Sequence, residues 1–381
     1  MKIEKITVIG AGHGGKAMAA HLALMGARVT LYNRTFSKVE GIRLRGGISL
    51  TSELGSPQGF GALKLVTDDM REALEVSQLI MVVVPAFGHA EIARRMAPWL
   101  RDDHIVVLNP GRTFGAIAFS LELRKHGCRT RPILAEAQTF IYASRSIGPA
   151  QAFIHRIKDA VPLAAYPATH TGKVLQVLAP YYPQFIDGQN VLHTGLNNIG
   201  AIFHPAITLF NAGWIESTGG NFDFYTDGVT PTVAKIMEAI DRERMRVGEA
   251  LDVQMISACE WLDLAYAAKG TGLHQAIHNQ PGYRGIQSPG TLNHRYIKED
   301  VPMSLVPMAS LGRKLGIKVR GMESIIRLAC ISHEVDYWQV GRTMESLHLK
   351  NLTPEEILAL AEGRHKLIMP ASDVPQYPIA A

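Results

Sequence analysis

Residues 5–34, KITVIGAGHGGKAMAAHLALMGARVTLYNR, constrain the fold of this chain more than any other stretch. Ile6, Val8 and Ile9 form a short apolar run, and Gly10-Ala11-Gly12-His13-Gly14-Gly15 follows at once. Ala17, Ala20, Leu22, Ala23 and Leu24 then recur at helical spacing until Gly26 ends the helix. A second apolar run, Ala27 to Leu31, completes a strand, tight turn, helix and strand. Two strands joined by a crossover helix lie parallel in one sheet, so this unit predicts an α/β domain.

The spacing Gly10-x-Gly12-x-x-Gly15 has a physical purpose in that setting. Gly10 suits a tight turn, Gly12 lets a pyrophosphate approach the backbone, and Gly15 lets helix and strand pack closely, with free N–H groups and the helix dipole facing the anion. Residues Gly10, Gly12, His13, Gly14 and Gly15 are therefore the expected dinucleotide cradle. An acid at the end of the second strand would accept hydrogen bonds from the ribose 2′-hydroxyl of NAD. Asn33-Arg34-Thr35 stands there instead, an amide, a guanidinium and a hydroxyl with no carboxylate to repel a 2′-phosphate. NADP is the expected cofactor, with NAD as the alternative if Arg34 is only a solvated loop residue.

The α/β alternation continues. Short strands are expected at 46–50 and 62–65 around a Gly/Pro/Ser loop at 55–60, a helix capped by Thr67-Asp68-Asp69, a buried strand at 79–84 ended by Pro85, a helix at 90–100 and a buried strand at 105–108. The pattern is a doubly wound parallel sheet, a Rossmann domain over residues 1–190. Ligands of such sheets bind beyond the carboxyl ends of strands, which brings forward Pro85 as a cofactor contact and Arg112, in Asn109-Pro110-Gly111-Arg112-Thr113, as a substrate contact. Glu136 to Arg145, expected to follow a strand at 132–134, offers Thr139 as a polar contact. Beyond residue 190 helical patterns dominate: 199–210, 231–251, 257–267, 306–315, 322–331 and 353–361, an all-α second domain over 191–381. Pro and Gly gather in a loop at 280–290, and the tail after Pro370 reads as loose.

The chain has 381 residues, enough for two domains with ample core. Its 47% hydrophobic and 19% charged residues set aside disordered and fibrous classes. The net charge of +5 comes without a basic run interleaved with aromatics, which argues against nucleic acid and suits an anionic cofactor and substrate. Cys128, Cys259 and Cys330 are far apart and odd in number, a pattern that disfavours a disulfide framework and fits the reducing cytoplasm. No apolar leader opens the chain and nowhere do 18 apolar residues run together, so no membrane span is expected.

A nicotinamide enzyme that reduces C=O or C=N needs a proton donor, most often histidine. His204 stands out because its helix is otherwise apolar beyond Asn197 and Asn198; the competing account is a satisfied core or cap histidine. Asp300 could orient such an imidazole and Arg295 could clamp a carboxylate, but as sequence alone they read equally as a helix cap and a surface ion pair. His274 and His278 share a helical face, yet Gln275 occupies the place of a metalloprotease glutamate and no third ligand is evident, so no catalytic metal is expected.

In order along the chain, GAGHGG, VVVPA, NPGRTFGA, LHTGLNNIGAIFHP, YRGI and RYIKEDVP resemble the octopine/nopaline (opine) dehydrogenases over nearly its whole length. The resemblance implies a His–Asp dyad at the domain cleft, falling on His204 and Asp300, with Arg295 as the keto-acid carboxylate contact. It also implies the reaction: an amino acid and a 2-keto acid condense to an imine that NAD(P)H reduces, or the reverse. Members differ at the end of the second strand, and Asn33 in place of an acid there speaks against NAD. Helix-rich domains of this kind often pair, which leaves a homodimer open. Two other readings keep the first domain: a 2-hydroxy-acid, polyol-phosphate or ketopantoate-type dehydrogenase, and a non-catalytic NADP-binding sensor.

Overall fold

The computed structural model describes residues 3–53 and 57–365. They form two compact units. The first runs to Gly111, resumes over Gly115–Thr194 and takes in the chain from Leu360; the second comprises Arg112–Phe114 and Gly195–Ala359. A single division at 190/191 is simpler than this arrangement, in which a three-residue segment and the last helical turn change units.

In the first unit, β1 (Lys5–Ile9), β2 (Arg28–Tyr32), β3 (Gly47–Ser52), β4 (Gly59–Ala62), β5 (Leu65–Thr67), β6 (Leu79–Val82), β7 (Ile105–Leu108), β8 (Ile133–Ala137), β9 (Tyr142–Gly148), β10 (Gln151–Ile157), β11 (Val161–Tyr166) and β12 (Phe185–Asp187) form two sheets. The larger has the order β12-β11-β8-β7-β6-β1-β2-β5. Its strands pair parallel except β11 against β8, so one end is mixed where an all-parallel sheet was expected. Successive strand residues point to opposite faces. Ile6, Val8, Leu79, Met81, Ile105 and Val107 enter one core and Ile9, Ile80, Val82, Val106 and Leu108 the other, which is why these strands read as unbroken apolar runs.

The smaller sheet, β4-β3-β10-β9, was not foreseen. Its Ile48, Leu50, Ala152 and Ile154 share a core with Ala17, Met18, Ala19, Ala20 and Leu22 of the helix His13–Leu24, whose other neighbours are Ile6 and Val8 of β1. The glycine-turn helix is thus covered by a sheet on each side. Two expectations need correction. The run 62–65 is divided, with β4 ending at Ala62 in one sheet and β5 opening at Leu65 in the other. Glu136 lies within β8 rather than after it, fully buried, because Ala116 N–H and the Thr194 hydroxyl donate to its carboxylate at 2.7 and 2.8 Å. Of the loop expected at 55–60, residues 55 and 56 lie outside the described residues, as does the tail after Pro370, while 59–60 open β4.

The second unit is helical. Gly200–Phe210, Pro231–Glu249, Ala258–Tyr266, Val306–Lys314 and Arg320–His333 follow the expected runs closely. Thr230 caps the second of these, with Pro231 in its first turn, and a Ser257/Glu260 capping box opens the third. No helix among the described residues is long and apolar enough to cross a membrane.

Candidate active site

At the glycine turn, Gly10 has φ +108°, and a Cβ there would stand 2.5 Å from Val83 O; one on Gly15 would collide with the Gly10 carbonyl. Gly12 differs: a Cβ on it would meet no protein atom within 4 Å. The turn is closed toward the protein and open at Gly12, the geometry a pyrophosphate needs. Gly14 lies under the Phe140 ring. His13 Nδ1 accepts from Ser146 N–H at 2.8 Å, and Lys16 Nζ donates to Ser146 Oγ and Gly148 O at 3.0 and 3.2 Å, so β9 holds the first helical turn. Asn33, expected to face the cofactor, has both ends engaged: Oδ1 accepts from Ala11 N–H at 3.2 Å and Nδ2 donates to Thr35 O at 2.8 Å. Arg34 beside it is exposed, with no side-chain partner among the described residues. Pro85 is exposed beyond β6 and its carbonyl accepts from Gly88 N–H at 2.8 Å.

The second unit gathers His204, Asp300, Arg112 and Arg295. His204 Nδ1 meets Asp300 Oδ2 at 2.8 Å. Asp300 Oδ1 pairs with Arg112 Nη1 at 3.1 Å, an ion pair without hydrogen-bond alignment. The other edge of Arg112 donates to Glu299, Nε and Nη2 reaching Oε1 and Oε2 at 3.2 and 3.3 Å. Arg295 Nε donates to the same Oε2 at 2.9 Å, its side chain 48% exposed. Asp300 and Glu299 are fully buried and Arg112 nearly so. Burial opposes the Arg112 charge, but Asp300 and Glu299 outweigh it and hold the guanidinium above its ordinary value. Thr139 belongs to the first unit, where Lys158 Nζ donates to its hydroxyl at 3.1 Å.

The backbone around these residues explains how they meet. Pro307 has no N–H to give, and the carbonyls four and five residues before it find other donors: Thr113 N–H reaches Met303 O at 3.1 Å and Arg342 N–H reaches Pro302 O at 3.0 Å. Residues Val301–Leu305, directly after Asp300, form a π-helical turn. Thr113 is also tied by its hydroxyl to Gly195 O at 3.0 Å and by its carbonyl to Arg342 Nη1 at 2.8 Å. Arg112 and Phe114 on either side adopt left-handed φ of 62° and 59°, conformations that L-residues keep only where surrounding contacts impose them.

Three participants escaped the sequence reading. Glu299 had a legible signal, its i,i+4 spacing from Arg295. Tyr296 stands inside RYIKEDVP without a role read for it, and Tyr225 had no signal. Tyr296 stacks on the His204 ring with centroids 4.2 Å apart, and the Tyr225 hydroxyl meets His204 Nε2 at 3.3 Å while its ring stacks on Tyr283 at 4.1 Å. Burial, reinforced by Tyr296 and Tyr283, raises the Tyr225 phenol well above its ordinary value, so it stays protonated. His274 and His278 lie side by side, and His278 bonds to the His274 and Thr226 carbonyls.

Residues 187–333 match the family model described as NAD/NADP octopine/nopaline dehydrogenase, alpha-helical domain, and residues 5–110 match the N-terminus of NAD-dependent glycerol-3-phosphate dehydrogenase. The opine dehydrogenase of Arthrobacter sp. (strain 1C) is 35% identical over 93% of this chain and 98% of its own. The chain belongs to the opine dehydrogenase family. This family consists of NAD(P)-dependent oxidoreductases acting on a CH–NH bond, which join an amino acid to a 2-keto acid by reductive condensation. Solved structures share its fold. An octopine dehydrogenase with NADH and L-arginine superposes with a TM-score of 0.75 at 19% identity, over 94% of this chain and 98% of its own. A yersinopine dehydrogenase with NADP+ bound gives 0.72 at 16%, over 95% and 98%. The Rossmann domain and helical domain of this chain are those of the family.

Proposed function

We propose that His204 is the general acid/base of this enzyme, Asp300 its orienting partner and Arg295 the contact for the 2-keto acid carboxylate. The 2.8 Å approach of His204 Nδ1 to a fully buried Asp300 carries this reading. A carboxylate accepting from Nδ1–H leaves Nε2 to exchange protons and stabilises the imidazolium. His204 takes a proton from the incoming ammonium, freeing the amine to attack the keto carbon. The same proton goes to the hydroxyl of the carbinolamine, which leaves as water as the nitrogen lone pair forms the C=N bond. Tyr225, on Nε2, donates to the neutral imidazole and accepts from the charged one, so it keeps the ring aligned in both states. Half of the Arg295 side chain remains exposed beyond its bond to Glu299, available to a substrate carboxylate.

The nicotinamide supplies the hydride that completes the reduction. Gly10, Gly12 and Gly15 would hold its pyrophosphate, with His13 and Gly14 in the same turn and Pro85 beyond β6. Arg34 would take the 2′-phosphate of NADP, since it is exposed and unpaired among the described residues while Asn33 is committed to the turn. Arg112 serves the dyad as the buried counter-charge of Asp300 in place of the direct substrate contact first expected, and Thr139 is retained as a substrate-side polar group. The three cysteines, all free, suit work in the cytoplasm.

The test follows NADPH and NADH oxidation with pyruvate or 2-oxoglutarate, with and without a panel of amino acids. Oxidation that requires both substrates, prefers NADPH and collapses in His204→Asn is the expected result. Oxidation by keto acid alone would point to a hydroxy-acid dehydrogenase, and an Arg34→Ser variant with unchanged cofactor preference would remove Arg34 from the 2′-phosphate.

A further inference from the structure

A cavity of about 660 Å³ opens in the first unit, away from the glycine turn. Arg124, Arg129, Arg131, His170 and His365 line it, and no Asp or Glu does. Leu123, Pro132, Leu134 and Leu360 supply apolar lining beside them. Its place in the sheet is set by topology. Pro132 and Leu134 stand at the amino end of β8 and Tyr166 at the carboxyl end of antiparallel β11, paired as Leu134↔Tyr166. The glycine turn follows the carboxyl end of β1, which runs parallel to β8 through β6 and β7. The cavity and the dinucleotide turn therefore lie at opposite edges of one sheet.

The charge around the cavity is not balanced from within. Arg129 and Arg131 are exposed and their guanidinium groups have no ion pair or hydrogen bond among the described residues. Asp102 accepts from the backbone N–H of Arg131 at 2.7 Å, not from its guanidinium. Burial raises the Tyr166 phenol to about 12 against the opposing charge of Arg124, so a neutral hydroxyl donor joins the cations. Like charges around a common space repel, and an anion placed among them lowers that energy. The volume falls within the range of small-molecule sites, about 300–1,000 Å³.

We propose that this cavity is a binding site for a small organic polyanion, with carboxylate or phosphate groups on a short apolar body, separate from the cofactor and substrate sites. The arginines and histidines take the acidic groups and the leucine and proline lining takes the body. The site's existence does not depend on which amino acid and keto acid the enzyme joins.

Calorimetric titration of the full chain, with and without saturating NADPH, tests it. Citrate probes carboxylate chemistry and inorganic pyrophosphate probes phosphate chemistry, each against potassium chloride at equal ionic strength. One-site binding of at least one probe is expected, unaltered by NADPH and weakened at least tenfold in an Arg129→Ala/Arg131→Ala variant that retains wild-type turnover. Cys128 also lines the cavity, so the bound probe should slow its alkylation by iodoacetamide and leave Cys259 and Cys330 unaffected. No saturable binding, binding abolished by NADPH, or equal affinity in the double variant would each overturn the proposal.

Discussion

Asp300 serves two partners with its two oxygens, the imidazole of His204 through Oδ2 and the guanidinium of Arg112 through Oδ1. Asp300→Asn replaces a carboxylate by an amide that can present the wrong group to Nδ1 and leaves Arg112 short of a counter-charge. A loss in kcat of about 10²–10⁴-fold, with bound cofactor unaffected, is expected from single-turnover and binding measurements. Glu299 sits one residue away with a different task. It is a buried anion between two arginines, so Glu299→Gln should destabilise the fold by about 3 kcal/mol in denaturant titration. Arg295→Ala, at a half-exposed position, should raise KM for the keto acid with little change in stability. Equal effects of the two variants on stability would contradict this division. His204 and Asp300 were legible as candidates only through the resemblance. Sequence carries no signal that brings residues 96 positions apart within 2.8 Å, and Tyr225 lies outside every motif that was read.

At the scale of elements, the glycine-turn helix separates binding from folding. A side chain on Gly12 meets open space, and its φ of −73° is ordinary for any residue. Gly12→Val should therefore leave the melting temperature near wild type and weaken NADPH binding at least tenfold. Gly15→Ala puts a methyl into the Gly10 carbonyl and should destabilise the unit by about 1–3 kcal/mol or more. The helix and the strands of the large sheet were legible because their apolar residues recur with local periods. The small sheet was not. Its central pair joins β3 to β10 in parallel, with Ser49 opposite Gln151, and pairing between such distant stretches leaves no local trace. The second unit's helices were readable from periodicity and caps, but the π-turn after Asp300 includes the Pro302 and Met303 carbonyls, which Pro307 cannot serve and distant N–H groups do.

For the molecule as a whole, buried His21 and His104 and half-buried His294 contribute to the response to acid. Burial lowers His21, His104 and His294 to about 4 each, below the ordinary value of about 6.5. Between those values the unfolded chain binds protons that the native protein does not, so stability falls as pH drops through the window. The denaturant midpoint should decline from pH 7 to pH 4, and His21→Gln should flatten part of the decline. A midpoint independent of pH over that range would contradict the burial account.

The three-residue excursion at Arg112–Phe114 bears on how such an enzyme can be taken apart by recombination. The stretch 195–359 carries Glu299, Asp300 and His204 but not the cation that Glu299 and Asp300 share, which is encoded ahead of it among the strands of the first unit. A gene segment for the helical unit alone would specify two buried anions without Arg112. Exchange of that segment between relatives would preserve the dyad only where the recipient's loop after β7 supplied an arginine at the same place. The two units are thus bound into a single unit of inheritance by one side chain.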